Sequence, residues 1–380
     1  MNFGFNETHL MIQQTARQFA HEELAPSVDE RDEREEFPYE AVKKMGELGF
    51  MGMMVSEQYG GAGLDTISYV LALEEIGKVD SSACVIMSVN NSLVCWGLDA
   101  HGTEEQKQKY LIDLASGKKL GAFALSEPEA GSDATNQRTT ARRDGNHYVL
   151  NGTKNFITNG ANADIVLVMA ATDRSKGAKG VSTFIVEKGA SGFSVAKKEK
   201  KLGIRSSDTV SLAFEDCRVP VESRIGEEGF GMRFALRTLD GGRIGIAAQA
   251  LAIAEACLEA SIRYSKERKA FDQPIADLQA IQFKLAEMAT SIEAARCLTL
   301  NAASLKDQNQ PFGPMAAMAK LYASRIAVQC ALEAVQIHGG YGYIREYGVE
   351  RFLRDSKITE IYEGTSEIQR IVISRAILHS

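Results

Sequence analysis

The run "DIVLVMAAT", Asp164 to Thr172, is short, β-branched and apolar, and turn-forming residues bound it. It reads as a strand rather than a helix. Three more runs between residues 121 and 225 share the pattern: "HYVLNG" (His147–Gly152), "VSTFIVEKG" (Val181–Gly189) and "TVSLAFEDCRVP" (Thr209–Pro220). Asp144-Gly145-Asn146 before "HYVL" and Asn151-Gly152 after it are hairpin-type turn signals. Strands following one another without intervening helices predict a small sandwich or barrel of about 100 residues.

On either side the periodicity is helical. Residues 1–120 carry "ISYVLALEEIGKV" and "TEEQKQKYLIDLASG", with apolar residues at three- and four-residue steps and a glycine-rich break, "YGGAGL", at Tyr59–Leu64. From 226 to 380 long helices return. In "DLQAIQFKLAEMATSIEAARCLTLNAASL" the residues Leu278, Ile281, Leu285, Met288 and Ile292 form one apolar stripe. "PMAAMAKLYASRIAVQCALEAVQIH" and the alanine-rich "RIGIAAQALAIAEACLEASIRY" supply two more helices for an antiparallel bundle. The expectation is therefore an α+β chain, mostly α, in three domains: helical 1–120, a β domain 121–225, and a helical bundle 226–380. No G-x-G-x-x-G follows a strand and opens a helix, and there is no P-loop, which argues against a doubly wound nucleotide-binding fold.

Composition narrows the function. The 43 basic and 50 acidic residues give a net charge of −7, and the short basic run "KKEKK" at Lys197–Lys201 is read as a solvated loop or hairpin edge. Nucleic-acid binding needs a concentrated basic face and is not expected. Cys84, Cys95, Cys217, Cys257, Cys297 and Cys330 are scattered, with no C-x-x-C pair and no histidine at metal spacing. They predict reduced, mostly buried thiols and no metal site. No apolar run approaching the roughly 18 residues of a bilayer span stands out, and the first residues resemble neither a signal nor a transit peptide. The expected location is cytoplasmic, with no membrane partner.

Four segments have the residue types for chemistry, and each also has a plain reading. "FALSEPEAGSD" (Phe123–Asp133) leaves a strand with small and hydroxyl-bearing residues, as a tight turn also would. "NGTKNFITNG" (Asn151–Gly160) is a strand between turns. "QIHGGYGY" (Gln336–Tyr343) ends a helix with paired glycines. In "YEGTSEIQR" (Tyr362–Arg370), Thr365 or Ser366 suits a helix N-cap, with Glu363 and Glu367 near the positive end of the helix.

In this order and at these separations, the four segments resemble the acyl-CoA dehydrogenase family over essentially the whole chain. "FALSEPEAGSD" resembles its first signature; "QIHGGYGYIREYGVERFLRD" followed by "ITEIYEGTSEIQR" resembles its second. The resemblance implies that family's fold: an N-terminal helical domain, a central β domain and a C-terminal four-helix bundle, usually as a homotetramer. It also implies FAD-dependent α,β-dehydrogenation of an acyl-CoA thioester to the trans-2-enoyl-CoA. Glu363 matches the base that takes the α-proton, hydride passes from the β-carbon to flavin N5, and the electrons go on to an electron-transferring flavoprotein. A base for so weak an acid needs a pKa raised above the usual carboxylate value, which burial provides. The resemblance gives the thioester oxygen two donors, the Glu363 N–H and a ribityl hydroxyl.

Carried over residue by residue, the resemblance places Phe123, Ala124, Leu125, Ser126, Gly131 and Ser132 with Phe156, Ile157 and Thr158 around the isoalloxazine, Thr158 at its N5 region. Arg268, Phe271, Gln279 and the segment Gln336, Ile337, His338, Gly339, Gly340 match positions that hold the adenine and pyrophosphate, partly across a subunit boundary. Thr365, Ser366 and Glu367 match a further FAD contact. For the CoA thioester the matching residues are Ser132, Asp240, Gly241, Gly242, Arg243 and Gly364; the plain reading of Arg243 is a helix-surface residue paired with Asp240.

Some branches carry the base at the position of Gly242, where glycine cannot serve, leaving Glu363. "VIMSVNNSL" (Val85–Leu93) resembles the short-chain, butyryl-CoA branch, and no arginine stands near Cys84 or Val85, where glutaryl-CoA dehydrogenases have one. A short, uncharged acyl group is expected; an acyl-CoA oxidase using oxygen, or a dehydrogenase of medium-chain or branched acyl-CoA, is the alternative. A scaffold that kept the fold only as a binding module would have lost the base or cofactor contacts, and these are present. Two positions depart from the family pattern, Asp272 after Phe271 and Asn136 after the first signature. Aspartate tolerates positive φ should position 272 require it.

Overall fold

The computed structural model describes residues 4–379. The chain begins with α1 (Glu7–Phe19), α2 (Val28–Arg34), α3 (Tyr39–Glu47) and α4 (Thr66–Val79). Next come α5 (Ser81–Ser88) and α6 (Trp96–His101), joined by the wider helical turn Val89–Cys95, and the short helices α7 (Glu104–Gln106) and α8 (Ile112–Ala115). Capping sets several starts. Asp80 Oδ1 accepts from the N–H groups of Ser82 (2.8 Å) and Ala83 (3.0 Å) to open α5, while its Oδ2 accepts from buried Arg31 at 2.7 Å.

The β region has β1 (Gly121–Ala124), β2 (Thr140–Asp144), β3 (His147–Thr158), β4 (Ile165–Ala171), β5 (Val181–Glu187), β6 (Phe193–Lys198), β7 (Thr209–Pro220) and β8 (Arg224–Ile225). The strands run in the order β6-β7-β3-β2-β4-β5-β8, with β1 pairing β4 in parallel. The sheet curls over itself: Tyr148 of β3 and Phe184 of β5, with β2 and β4 between them in that order, bring their rings to 4.8 Å. Along β4, Val166, Val168 and Ala170 fill the space inside the curl, whereas Ile165, Leu167 and Met169 pack outward against the helices. Both faces are covered, which is why "DIVLVMAAT" shows no polar alternation. The "KKEKK" run leaves β6, an exposed edge strand, where lysines oppose edge pairing.

Asp144 pairs with His147 across the Gly145-Asn146 turn as expected. Asn151-Gly152 is not a turn: it lies inside β3, at a shift in the register with β7 between Leu150 and Gly152. Gly152 has φ +149°, and a Cβ there would meet Thr139 Oγ1 at 2.5 Å. The Asn-Gly pair serves a bulge and a close backbone approach rather than a chain reversal.

The remaining chain is α9 (Gly231–Glu267), a hairpin of β9 (Lys269–Ala270) and β10 (Gln273–Pro274), then α10 (Gln279–Asp307), α11 (Gly313–His338), α12 (Val349–Ser356) and α13 (Ser366–Leu378). On α10 the expected stripe faces inward, with Met288 and Ile292 buried and Leu278, Ile281 and Leu285 packed at its margin. Two segments, Ser81–His101 and Gly231–Glu267, are long and apolar enough by length and composition to cross a membrane, which corrects the sequence expectation. Their most apolar windows are 94% and 83% buried inside the protein, so the apolarity serves core packing. Five cysteines are buried and Cys297 is exposed; all are unpaired.

Polar staples tie the N-terminal helices to the rest. The Asn90 amide donates to the carbonyls of Met51 (2.8 Å) and Leu114 (3.0 Å), and its oxygen accepts from Gly121 N–H, the first residue of β1 (2.9 Å). Asn91 bonds the backbone of Phe50, Met53 and Met87. Arg296 of α10 reaches buried Glu74 of α4 (3.2 Å) and Glu255 of α9, which Lys78 also holds at 2.7 Å. Removing the cation strands a buried carboxylate, at a cost of about 3 kcal/mol. Arg296→Met is therefore expected to lower the thermal midpoint at pH 8 by several degrees, Arg296→Lys by clearly less; equal losses would show that shape rather than charge matters.

Candidate active site

Glu363 stands in a turn between the helical residues Lys357–Glu360 and α13. Thr365 caps α13, its Oγ1 accepting from Ile368 N–H at 3.4 Å, as the sequence suggested. The two residues before the cap have positive φ, 52° for Glu363 and 96° for Gly364. A glutamate in the left-handed region costs roughly 1–2 kcal/mol and persists only where neighbours over-determine it. Here they do. The Gly364 carbonyl accepts from Lys320 Nζ and from Gln369 Nε2, both at 2.7 Å, and Gln369 Nε2 also lies 3.4 Å from the Glu363 carbonyl.

The Glu363 side chain lies against α9 where that helix has no side chain. A Cβ on Gly242 would stand 2.0 Å from Glu363 Oε2 and 2.8 Å from Leu93 Cδ2. Residue 363 as a whole is half-buried, but Oε2 is sealed from solvent and has no hydrogen-bond partner. The sealed atom governs the titration. Burial pushes the carboxyl up to about 7, against the opposing pull of Lys320 and then Arg243. Among the described residues the Glu363 N–H has no acceptor either.

Around this pair, Tyr362 OH bonds Gln249 of α9, whose amide donates to Ser81 O at 2.9 Å. Arg243 does pair with Asp240, but on the inside of the protein: only 4% of its side chain is exposed, which corrects the reading of a surface residue. Gly241 and Gly242 are buried beside it. One turn on, a Cβ at Gly245 would meet Ser88 Oγ at 2.6 Å and Tyr69 OH at 2.7 Å. The glycines thus leave a shallow trough along α9.

The other sequence-singled residues fall into two groups. In the first, Phe123–Ser126 lead out of β1, and Phe156–Thr158 end β3 at a second register shift, Phe156 exposed with φ 60°. Lys154, fully buried, staples the two: its Nζ donates to Leu125 O (3.1 Å) and Glu127 Oε1 (2.7 Å), while Glu127 accepts from the N–H groups of Arg138 (2.6 Å) and Thr139 (3.1 Å). Gly131 and Ser132 are exposed beyond it, with open space over Gly131.

In the second group Arg268 and residues 337–340 line an open pocket of about 390 Å³. The guanidinium lies over Tyr341 at 5.6 Å, and Tyr264 stacks on His338 at 4.2 Å. Gly339, with φ 59°, ends α11, and nothing lies within 4 Å of a Cβ at either Gly339 or Gly340. Phe271 and Asp272 form the turn of the β9–β10 hairpin with φ 54° and 63°, so Asp272 does adopt the conformation it was expected to tolerate. Phe271, Gln336 and Gln279 are exposed beside it, the last opening α10. An unburdened cation, bare glycine backbone and exposed rings suit a flat, anionic dinucleotide. Among the described residues no hydrogen bond, ion pair or ring contact joins the two groups, and no His/Cys/Asp/Glu cluster suits a metal.

Lys320, Gln369 and the Lys154–Glu127 pair were not anticipated. Lys320 was nonetheless visible: four residues from Ala316 and from Ser324, it falls on the buried stripe of an alanine-rich helix, where an unneeded charge is costly.

Three family models match the chain: acyl-CoA dehydrogenase N-terminal domain over residues 6–118, middle domain over 122–217, and C-terminal domain over 229–378. The short-chain specific acyl-CoA dehydrogenase of Clostridium acetobutylicum is 52% identical over 99% of this chain and 100% of its own. The structure of butyryl-CoA dehydrogenase from Megasphaera elsdenii is 47% identical, with a TM-score of 0.98 and full coverage of both chains. A chain solved in work on the electron transferring flavoprotein of Acidaminococcus fermentans and flavin-based electron bifurcation is 51% identical, TM-score 0.99, again over both full chains.

The buried carboxyl makes a prediction about stability. Because the native Glu363 holds its proton up to about pH 7 and the unfolded one releases it near 4.5, the unfolded state binds fewer protons in that window. Stability then falls as pH rises through it, by roughly 3 kcal/mol in all. Glu363→Gln has no such group, so its stability relative to the parent is expected to climb between pH 5 and pH 8, read from paired thermal melts; a pH-independent difference would mean an ordinary carboxyl.

Proposed function

Since the chain belongs to the acyl-CoA dehydrogenase family, we propose that it converts a short-chain acyl-CoA to the trans-2-enoyl-CoA, with Glu363 abstracting the α-proton. The protein is an acyl-CoA dehydrogenase, an FAD-dependent oxidoreductase similar to the short-chain branch. The observation that carries the assignment of the base is the carboxylate of Glu363, sealed against Gly242 with a free Oε2 and a pKa near 7. Such a group is ionised in a useful fraction at neutral pH and is a stronger base than an exposed carboxylate. The unpaired Glu363 N–H is a fixed donor for the charge that develops on the thioester oxygen. Buried Arg243, near the carboxylate, adds positive potential.

When bound, FAD supplies the acceptor for the hydride of the β-carbon. Phe123–Ser126, Gly131, Ser132 and Phe156–Thr158 would hold its ring system, on a loop that the Lys154–Glu127 pair fixes. Arg268, Phe271, Gln279 and Gln336–Gly340 would hold the adenine and pyrophosphate, with Thr365–Glu367 at the start of α13 as a further contact. The separation of these groups within one chain supports a cofactor shared between subunits. Exposed Phe283, Leu332 and Ile371 on the bundle helices support a homotetramer. Ser132, Asp240–Arg243 and Gly364 would receive the CoA thioester. Leu93 against Gly242, and Tyr69 and Ser88 against Gly245, support a short, uncharged acyl group. An electron-transferring flavoprotein as acceptor is supported by the similarity to the Acidaminococcus chain, and a reducing cytoplasm by the unpaired thiols.

An anaerobic titration with butyryl-CoA, followed by visible absorption, tests the reading. Bleaching is expected for the parent and nearly none for Glu363→Gln, which keeps its yellow colour; bleaching by Glu363→Gln would remove the assignment of the base. Gly242→Ala should retain fold and colour, because the carboxylate end can swing aside, yet reduce the bleaching rate at least about tenfold through misplacement of the base. Parental rates in that variant would show that the seat over Gly242 is unimportant.

A further inference from the structure

Lys320 has no part in the chemistry assigned so far. Its side chain is completely buried on α11, with buried Ala316, Ala317, Ala323 and Ser324 on the same helix. Burying an ammonium in such surroundings is costly unless something holds it. What holds it is the Gly364 carbonyl, at 2.7 Å. The same oxygen accepts from Gln369, so two donors from two helices converge on one peptide of a turn whose preceding residue is a glutamate at positive φ.

We propose that Lys320 is a positioning residue for α-proton abstraction: with Gln369 it clamps the Gly364 carbonyl and so fixes the left-handed Glu363–Gly364 turn that aims the Glu363 carboxylate and N–H. This rests on Glu363 being the base. Lys320 acts in a second way through its charge. The charged and titratable groups near Glu363 are Lys320 on α11, Arg243 with its partner Asp240 on α9, Tyr69 on α4 and the adjoining Tyr362; those facing Lys320 also include Glu360 and Glu367. Of these, Lys320 exerts the strongest pull toward the ionised carboxylate. Without it the carboxyl titrates at higher pH and the turn loses one of its two donors.

The test is the rate of anaerobic flavin bleaching by butyryl-CoA, measured against pH, in Lys320→Met, Lys320→Gln, Gln369→Leu and Glu363→Gln. Lys320→Met is expected to move the midpoint of the rise in rate upward by about one pH unit and to lower the plateau at least about tenfold, with KM little changed. Lys320→Gln, which keeps a donor but no charge, should show the same upward shift with a smaller loss of plateau. Gln369→Leu, which keeps the ammonium, should lower the plateau and leave the midpoint in place. In Lys320→Met the pH window over which stability falls should also extend upward, an outcome read without turnover.

A parental midpoint and plateau in Lys320→Met overturns the proposal, as does a loss of stability with an unmoved profile, which marks a purely structural lysine. If Lys320→Met and Lys320→Gln do not fold, a parental plateau in Gln369→Leu overturns the clamp by itself, and a lowered one supports it. The reading of the base fails separately: Glu363→Gln that still bleaches discards Glu363 whatever Lys320 does, whereas an inert Glu363→Gln beside a parental Lys320→Met discards only the role of Lys320.

Discussion

One carboxylate pressed against bare helix backbone sets the terms for much of this site. Glu363 Oε2 occupies the space that any side chain at position 242 would need. The cost appears in two places. Glycines at 241, 242 and 245 weaken the interior of α9, each by about 1 kcal/mol relative to alanine. Desolvation of the oxygen also disfavours the ionised form of the carboxyl. The first cost falls on a helix that the large hydrophobic core supports over most of its length, with residues Ile244 to Cys257 nearly all buried.

The three-part architecture follows from what must meet at that point. The trough floor belongs to α9, its opposite wall to Leu93, Ser88 and Tyr69 of the N-terminal helices, and the Glu363 carboxyl to the turn before α13. None of these holds its place alone. Asn90 and Asn91, buried in the middle of a helical segment, spend their amides on the backbone of neighbouring loops and of β1. Arg296 and Lys78 tie α4 to α10 and α9 with charge. The curled sheet contributes through β1 and β3, whose ends Lys154 draws together, so the loop after Phe123 stays rigid without belonging to any regular element.

How much of this the residues disclosed depended on the range of the interaction. The order of helical and strand regions, the cap at Thr365, the turn at Gly145-Asn146 and the break at Gly339 are local, and local patterning revealed them. Asn151-Gly152 misled because the same dipeptide suits a turn and a bulge, and only the partner strand decides. The plain reading of Arg243 as a surface residue paired with Asp240 fails because spacing reveals the partner but not what covers the guanidinium. The apolarity of Ser81–His101 and Gly231–Glu267 reflects tertiary packing, since a helix covered on nearly every side has no polar face to interrupt its apolar residues. Glu363 itself needed the family resemblance; its seat on Gly242 joins residues too far apart in sequence for any window to connect.

The placement of Lys320 shows how the opposing demands on Glu363 are reconciled. A lysine bonded directly to the carboxylate would stabilise the charge strongly, pull the pKa back toward the ordinary carboxylate value and occupy one of its lone pairs. No cation at all would leave burial unopposed and the carboxyl protonated at neutral pH. The ammonium is instead bonded to the next peptide's carbonyl, close enough for its charge to act and oriented so that its proton does not engage the carboxylate. Arg243 is held away in a similar manner, its guanidinium bonded to Asp240. Two cations act through space while both hydrogen bonds go elsewhere, and Oε2 keeps its free lone pairs. That arrangement accounts for a carboxyl that titrates near 7 with two positive charges nearby, a combination that direct pairing would not allow.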